Sequence, residues 1–177
     1  MRAVLCLHPK YGYCFLEKSQ TEIPDEDGVR QVIPYVVIIN KATDRIALFK
    51  RKTGDPRLVG GYIIGVGGHV EVTDVDYRHD TYEEVINAAA CREISEEIGI
   101  RHPNIDRLRK MDLHEICLSE NEVDRAHYGM IFTYDTNSRS LRKVPDDELE
   151  FVGWKMKSEL KGFQLESWSQ YVLKEVL

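Results

Sequence analysis

Glu93, Glu96 and Glu97 stand in one short stretch of a segment, 81–98, whose apolar residues repeat as a helix would require. Ile86, Ala90, Ile94 and Ile98 are spaced by four and form a stripe that drifts by about 40° per step. Glu93 and Glu97 share that spacing and fall within roughly 20° of Ile86 on the helical wheel. Glu96 lies about 60° from Glu93, beside it. Three carboxylates therefore converge near the edge of the buried face. Like charges so placed raise one another's pKa, and a cation offsets the repulsion. Oxygen ligands without cysteine or a histidine pair suit Mg²⁺ or Mn²⁺. Arg92 is one turn before Glu96 and can hold it in place. The solvated face of a glutamate-rich helix accounts for the same wheel, so the pattern alone leaves both readings open.

Several elements must position this helix. Asp80 or Thr81 is suited to cap its start and Gly99 to end it. Val32 to Ile39 is β-branched and apolar and reads as a central strand. Arg45 to Phe49 returns after the turn Lys41-Ala42-Thr43-Asp44. Ala3 to Leu7, Tyr13 to Leu16, Tyr62 to Val66, Leu113 to Leu118, Tyr128 to Tyr134 and Phe151 to Lys155 read as further strands. Leu165 to Leu177 is amphipathic and reads as a closing helix. Strands around one long helix, with a second at the end, predict a mixed sheet between helices. Residues 1–32 read as an N-terminal extension packed on a domain that spans 33–177.

The residues around the carboxylates form a longer pattern. Glu84, Arg92, Glu93, Glu96, Glu97 and Gly99 stand in E-x7-R-E-I-S-E-E-I-G-I. This resembles the C-terminal part of the Nudix box, G-x5-E-x7-R-E-U-x-E-E-x-G-U, with Ile94 and Ile100 at the aliphatic positions. Upstream, Gly65-Val66-Gly67-Gly68-His69-Val70-Glu71 resembles the glycine loop that opens the box. Six residues after Gly68, where the pattern has its first glutamate, stands Asp74. Glu84 comes ten residues later. An insertion of about ten residues within Val72 to Tyr82 accounts for the offset, and it is expected to project from the mouth of the site and tune substrate choice.

The resemblance covers roughly residues 33–177 and implies an α/β fold, a Nudix-type α/β/α sandwich with a mixed sheet. It implies metal ligation by Glu93, Glu96 and Glu97, with the Gly67 carbonyl a further ligand, and Mg²⁺ or Mn²⁺ as cofactor. In that family the residues matching Glu84 and Arg92 serve mainly as salt-bridge partners near the site. The implied reaction is metal-assisted hydrolysis of a phosphoanhydride bond in a nucleotide-like small molecule. The general base is either Glu93 in the box or a residue of the acidic loop, Glu120, Glu122 or Asp124. For any one of these loop residues solvated charge is the simpler reading.

Other residues carry alternatives. His69 follows two glycines and could meet a phosphate beside Gly68, or pack the loop. Arg51, Lys52 and Arg57 could bind phosphate or form a solvated basic loop. His127 reads as structural, and Trp154 and Trp168 as packing residues. Cys91 reads as a small buried hydrophobe. Two further functions compete with hydrolysis. A non-catalytic nucleotide-binding domain would tend to lose box glutamates, all of which are present. An isopentenyl-diphosphate isomerase would need a cysteine context that Cys6 and Cys14 lack.

Bulk properties narrow the field further. The chain has 177 residues, a formal net charge of −6, and is 42% hydrophobic and 31% charged. The acidic balance disfavours binding to a nucleic-acid polymer. No apolar run has membrane-spanning length, and the N-terminus does not read as a signal peptide. Cys6, Cys14, Cys91 and Cys117 form no C-x-x-C pair, which disfavours zinc and fits a reducing cytoplasm. The oligomeric state, a homodimer included, is left open by the sequence.

Overall fold

Strand β3 (Arg30–Asn40) is the axis of the fold. Its apolar run lets both faces be buried, as a central strand between two helical layers requires. The computed structural model describes residues 2–21, 28–54, 56, 58–76, 81–118, 121–141 and 148–177, without the side chains of 112–114. Among these, β3 pairs antiparallel with β1 (Ala3–His8), β4 (Arg45–Arg51) and β6 (Gly65–Val66). It pairs parallel with β8 (His127–Thr136), in register from Gln31 opposite His127 to Asn40 opposite Thr136. The hairpin of β1 and β2 (Gly12–Glu17), together with β5 (Tyr62–Ile63), β7 (Leu108–Ile116) and β9 (Leu149–Lys155), completes a nine-stranded mixed sheet among the described residues.

Helix α1 (Tyr82–Ile98) covers one face of this sheet. Its Val85, Ile86, Ala89, Ala90, Ile94 and Ile98 pack in one core with Val32, Val36, Ile38 and Phe132. Helix α4 (Ser167–Glu175) covers the other face, where Val172 and Leu173 share a core with Tyr35, Val37, Leu48 and Ile131. Alternate residues of β3 thus feed opposite layers, and the result is the expected α/β/α sandwich. Two short helices, α2 (Glu122–Ala126) and α3 (Lys157–Leu160), lie in the connections. No helix among the described residues is long and apolar enough to cross a membrane.

Local chemistry sets the bounds of α1. Thr81 accepts a hydrogen bond from the Glu84 amide while the Glu84 side chain accepts one from the Thr81 amide, a reciprocal capping box. Gly99 ends the helix with φ of 68°, a conformation that costs glycine little. The alternative cap, Asp80, lies outside the described residues.

Pro34 stands in the middle of β3, where a ladder donor is normally needed. Its carbonyl faces Gly67 so closely that a Cβ on Gly67 would lie 2.2 Å from that oxygen. The N and C=O of one strand residue point to the same side. The proline nitrogen therefore faces the glycine turn, not β8, and no β8 hydrogen bond is lost. Gly67→Ala should force the turn off β3 at a cost of about 1–3 kcal/mol, lowering Tm by about 2–4 °C per kcal/mol. Thermal denaturation that leaves Tm unchanged would refute this close approach.

Candidate functional site

The C-terminal half of α1 delivers its carboxylates to the glycine turn that follows β6. Glu93 is only 6% exposed. A Cβ on Gly68 would come within 2.4–2.6 Å of the Glu93 carboxylate, so the glycine leaves the room that this side chain occupies. Burial pushes the Glu93 carboxyl above its ordinary range, Arg92 opposes the shift, and Glu96 and Asp74 add to it.

Arg92 organises the cluster. Its Nε and Nη2 donate to the two oxygens of Asp74 at 2.8 and 3.0 Å. Nη1 donates to Glu93 at 2.6 Å and to Glu96 at 2.8 Å. Nη2 also donates to the His69 carbonyl at 2.8 Å. All five N–H donors of the guanidinium are thereby used. Burial alone would weaken its charge. The Asp74 hydrogen bonds and the Glu93 and Asp74 charges outweigh burial and hold Arg92 above its usual value.

The carboxylate that grips Arg92 in two places is therefore Asp74. Glu84 belongs to the capping box, and eight residues of helix place it about 12 Å from Arg92 along the axis. Asp74 holds the register of the box's first glutamate, six residues after Gly68. The 3-10 turn Val72–Asp74 is tied back by the Glu71 amide donating to Asp74. Val72 to Asp74 thus belongs to the scaffold of the site, and the extra residues begin after Asp74. Residues 77–80 of that segment lie outside the described residues.

Glu97 lines a cleft with a volume of about 210 Å³, together with Gly67, Gly68 and His69. Glu96 is more exposed and reaches Arg92. Arg51 also lines the cleft, but its charge is engaged. It donates to Glu166 at 3.0 and 3.4 Å and lies 3.5 Å from Glu148. Burial works against the Arg51 charge, and the Glu166 hydrogen bonds more than restore it. Arg57 and Glu120 lie outside the described residues. Glu122 is an exposed residue at the start of α2 and does not line the cleft, whereas Asp124 does. Asp124 is 2% exposed and accepts from Asn121 at 2.7 Å and Ser167 at 3.0 Å.

His69 sits at the cleft wall with Nε2 2.5 Å from the Gln31 side-chain oxygen. Burial, reinforced by Lys18, His127, Arg2 and Arg92, pushes the ring's pKa down to about 3. Beyond it, sequence reasoning missed a row of rings along the cleft. His127 lies 5.8 Å from His69 by ring centroids, Trp168 6.4 Å from His127, and Tyr35 5.7 Å from Trp168. No local pattern marks these residues, since strand register and the docking of α4 bring them together.

The donor set is all oxygen and concentrated at one helix end, which fits a hard divalent cation in kind. Among the described residues no three His, Cys, Asp or Glu side chains close on a common point. Arg92 stands between Glu93 and Glu96, so a cation would have to draw these carboxylates off the guanidinium.

Known proteins resemble this chain in sequence and fold. A sequence profile described as the NUDIX domain matches residues 29–176. Protein YmaB of Bacillus subtilis (strain 168) is 28% identical over 165 residues, which span 90% of this chain and 77% of YmaB. The crystal structure of Tm1382, described as a candidate Nudix hydrolase, matches with a TM-score of 0.74 and 25% identity, covering 97% of this chain and 96% of Tm1382. The NUDIX domain of Shewanella oneidensis NrtR, solved with ADP ribose, shares the fold with a TM-score of 0.59 and 10% identity, covering 82% of this chain and 84% of that one.

The raised Glu93 value has a definite sign. A carboxyl whose folded pKa is raised favours the fold below its unfolded value, and that contribution is lost as pH rises through the folded value. In metal-free protein, Glu93→Gln should therefore melt at or above the wild-type temperature at about pH 7. The margin should shrink as pH falls toward about 4. Melting curves across that range check it, and a margin that grows on acidification reverses the assignment.

Proposed function

The chain belongs to the Nudix family of hydrolases, and on that premise we propose that it cleaves a phosphoanhydride bond in a nucleoside-diphosphate-linked substrate with a divalent cation, Mg²⁺ or Mn²⁺. The observation that carries this reading is the Arg92 cluster. Five hydrogen bonds gather Asp74, Glu93, Glu96 and the glycine turn beside a cleft that Glu97 lines.

Glu93, Glu96 and Glu97 would hold the cation, with the Gly67 carbonyl beside them. When bound, the cation would neutralise phosphate charge and make an attacking water more acidic. The chain's own residues do the rest. Gly67 and Gly68 let the backbone come close to the phosphates. Arg92 gathers Glu93 and Glu96 at the glycine turn, from where a cation would draw them off the guanidinium. Glu93 and Asp124 are the carboxylates placed to take the water's proton. Asp124 enters here instead of Glu122 because it is the α2 carboxylate at the cleft. The ring row suits a base and sugar, and the NrtR domain's ADP ribose supports a nucleotide-like substrate. A purely binding role is less well supported, since the three glutamates of the box helix, Glu93, Glu96 and Glu97, are all retained.

Nucleoside diphosphate derivatives, dinucleoside polyphosphates, nucleotide sugars and ADP-ribose, screened with Mg²⁺ by phosphate or nucleotide release, test the activity. Hydrolysis should stop with EDTA and return with Mg²⁺ or Mn²⁺. Glu97→Gln should lower the rate by about 10²-fold or more while leaving the fold intact. Undiminished turnover in chelated protein, or in the Glu97 variant, places the chemistry elsewhere.

A further inference from the structure

The proton on His69 is placed by a chain of hydrogen bonds that begins in the N-terminal segment. Thr21 is buried, and its hydroxyl donates to the Lys18 carbonyl at 3.1 Å. With that hydrogen committed, the Thr21 oxygen accepts from the Gln31 amide nitrogen at 2.9 Å. Gln31 is 1% exposed and has its amide oxygen left for His69. An amide oxygen only accepts, so the His69 nitrogen facing it, Nε2, must carry the hydrogen. In a neutral imidazole the other nitrogen, Nδ1, then holds a lone pair. The backbone is pinned as well, because Arg92 binds the His69 carbonyl.

We infer that His69 presents Nδ1 to the cleft as a fixed hydrogen-bond acceptor that binds a hydroxyl of the substrate's sugar, so that the protein selects ribose-bearing nucleoside diphosphates. Nε2 is tied to a buried strand residue, which leaves Nδ1 as the ring nitrogen for a ligand in the cleft that His69 lines. A phosphate oxygen has no hydrogen to give, so it gains nothing from this nitrogen. His69 follows the two glycines that approach the phosphates, and the next group along a nucleotide is the sugar. From His69 the row His127, Trp168 and Tyr35 continues in the direction a base would take. A site built to accept from a hydroxyl rejects an analogue that lacks it, because the acceptor is left without a partner. This assignment deepens the hydrolase reading and rests on it for the identity of the cleft.

Binding and proton placement can be read without turnover. Calorimetry with ADP and 2′,3′-dideoxy-ADP, each with Mg²⁺, should show ADP binding about tenfold or more tightly. His69→Phe keeps a ring of similar size and should bring the two affinities within about twofold, chiefly by weakening ADP. Nitrogen-correlated NMR of wild-type protein should show the His69 hydrogen on Nε2. Equal affinities, no binding of either probe, a preference unaffected by His69→Phe, or a hydrogen on Nδ1 would each overturn the inference. A protein that hydrolyses no diphosphate yet keeps the Nε2 hydrogen and the ADP preference would refute the hydrolase reading alone. An active hydrolase without the preference would refute this one alone.

Discussion

One guanidinium ties the site together. Arg92 joins the turn at Asp74, the backbone at His69 and the end of α1 at Glu93 and Glu96. Without it, three carboxylates would face one another in a half-buried space, where water screens their repulsion poorly. The arginine compensates one of those charges, and the remaining negative charge is what a divalent cation would balance. The same contact explains why Gly68 must lack a side chain. Its missing Cβ is the space into which Arg92 and the helix direct Glu93.

The glycine turn is held from the other side by the N-terminal hairpin. The Leu5 amide donates to the Val70 carbonyl at 2.8 Å, Val4 bridges to Glu71, and Arg2 pairs with Glu71. Lys18 and Thr21 then reach His69 through Gln31. A turn between two glycines has little rigidity of its own. Clamping by helix α1 on one side and by β1 on the other gives it the fixed geometry that positioning of a reacting group demands. The hairpin therefore contributes to the site although none of its residues lines the cleft.

The sequence made some of this legible for physical reasons and concealed the rest. Helix α1 was readable because its periodicity, cap and stop are local. Strand β3 was readable because a strand buried on both faces must be apolar throughout. The start of β7 at Leu108 rather than Leu113 was not, since the polar residues there pair in register with β8. Segment 121–126 read as an acidic loop but forms a short helix capped by Asn121. Glu84 looked like a partner for Arg92 because the box spacing was kept, yet the helix separates them and Asp74 takes the role across 18 residues. Arg51 looked like a phosphate ligand because Glu166, 115 residues away, could not be seen to claim it. His127 and Trp168 meet only through strand register and the docking of α4.

The charge around the cleft bears on how an anionic substrate could enter it. Among the described residues that line it, Glu97, Asp124, Glu148 and Glu166 are acidic and Arg51 is the one lysine or arginine. That arginine is engaged by two of those carboxylates, and His69 is held neutral by burial. A diphosphate approaching this surface meets net repulsion at a separation where screening is weak. A cation seated on Glu93, Glu96 and Glu97 would offset most of the negative charge at that end of the cleft, where the proposed diphosphate would lie. The acidic lining would remain at the other end, where uncharged N–H and O–H groups of a nucleoside are better guests than a second phosphate. On this reading the metal serves binding and orientation as much as chemistry, and the carboxylates that repel a misplaced diphosphate help to set its direction in the site.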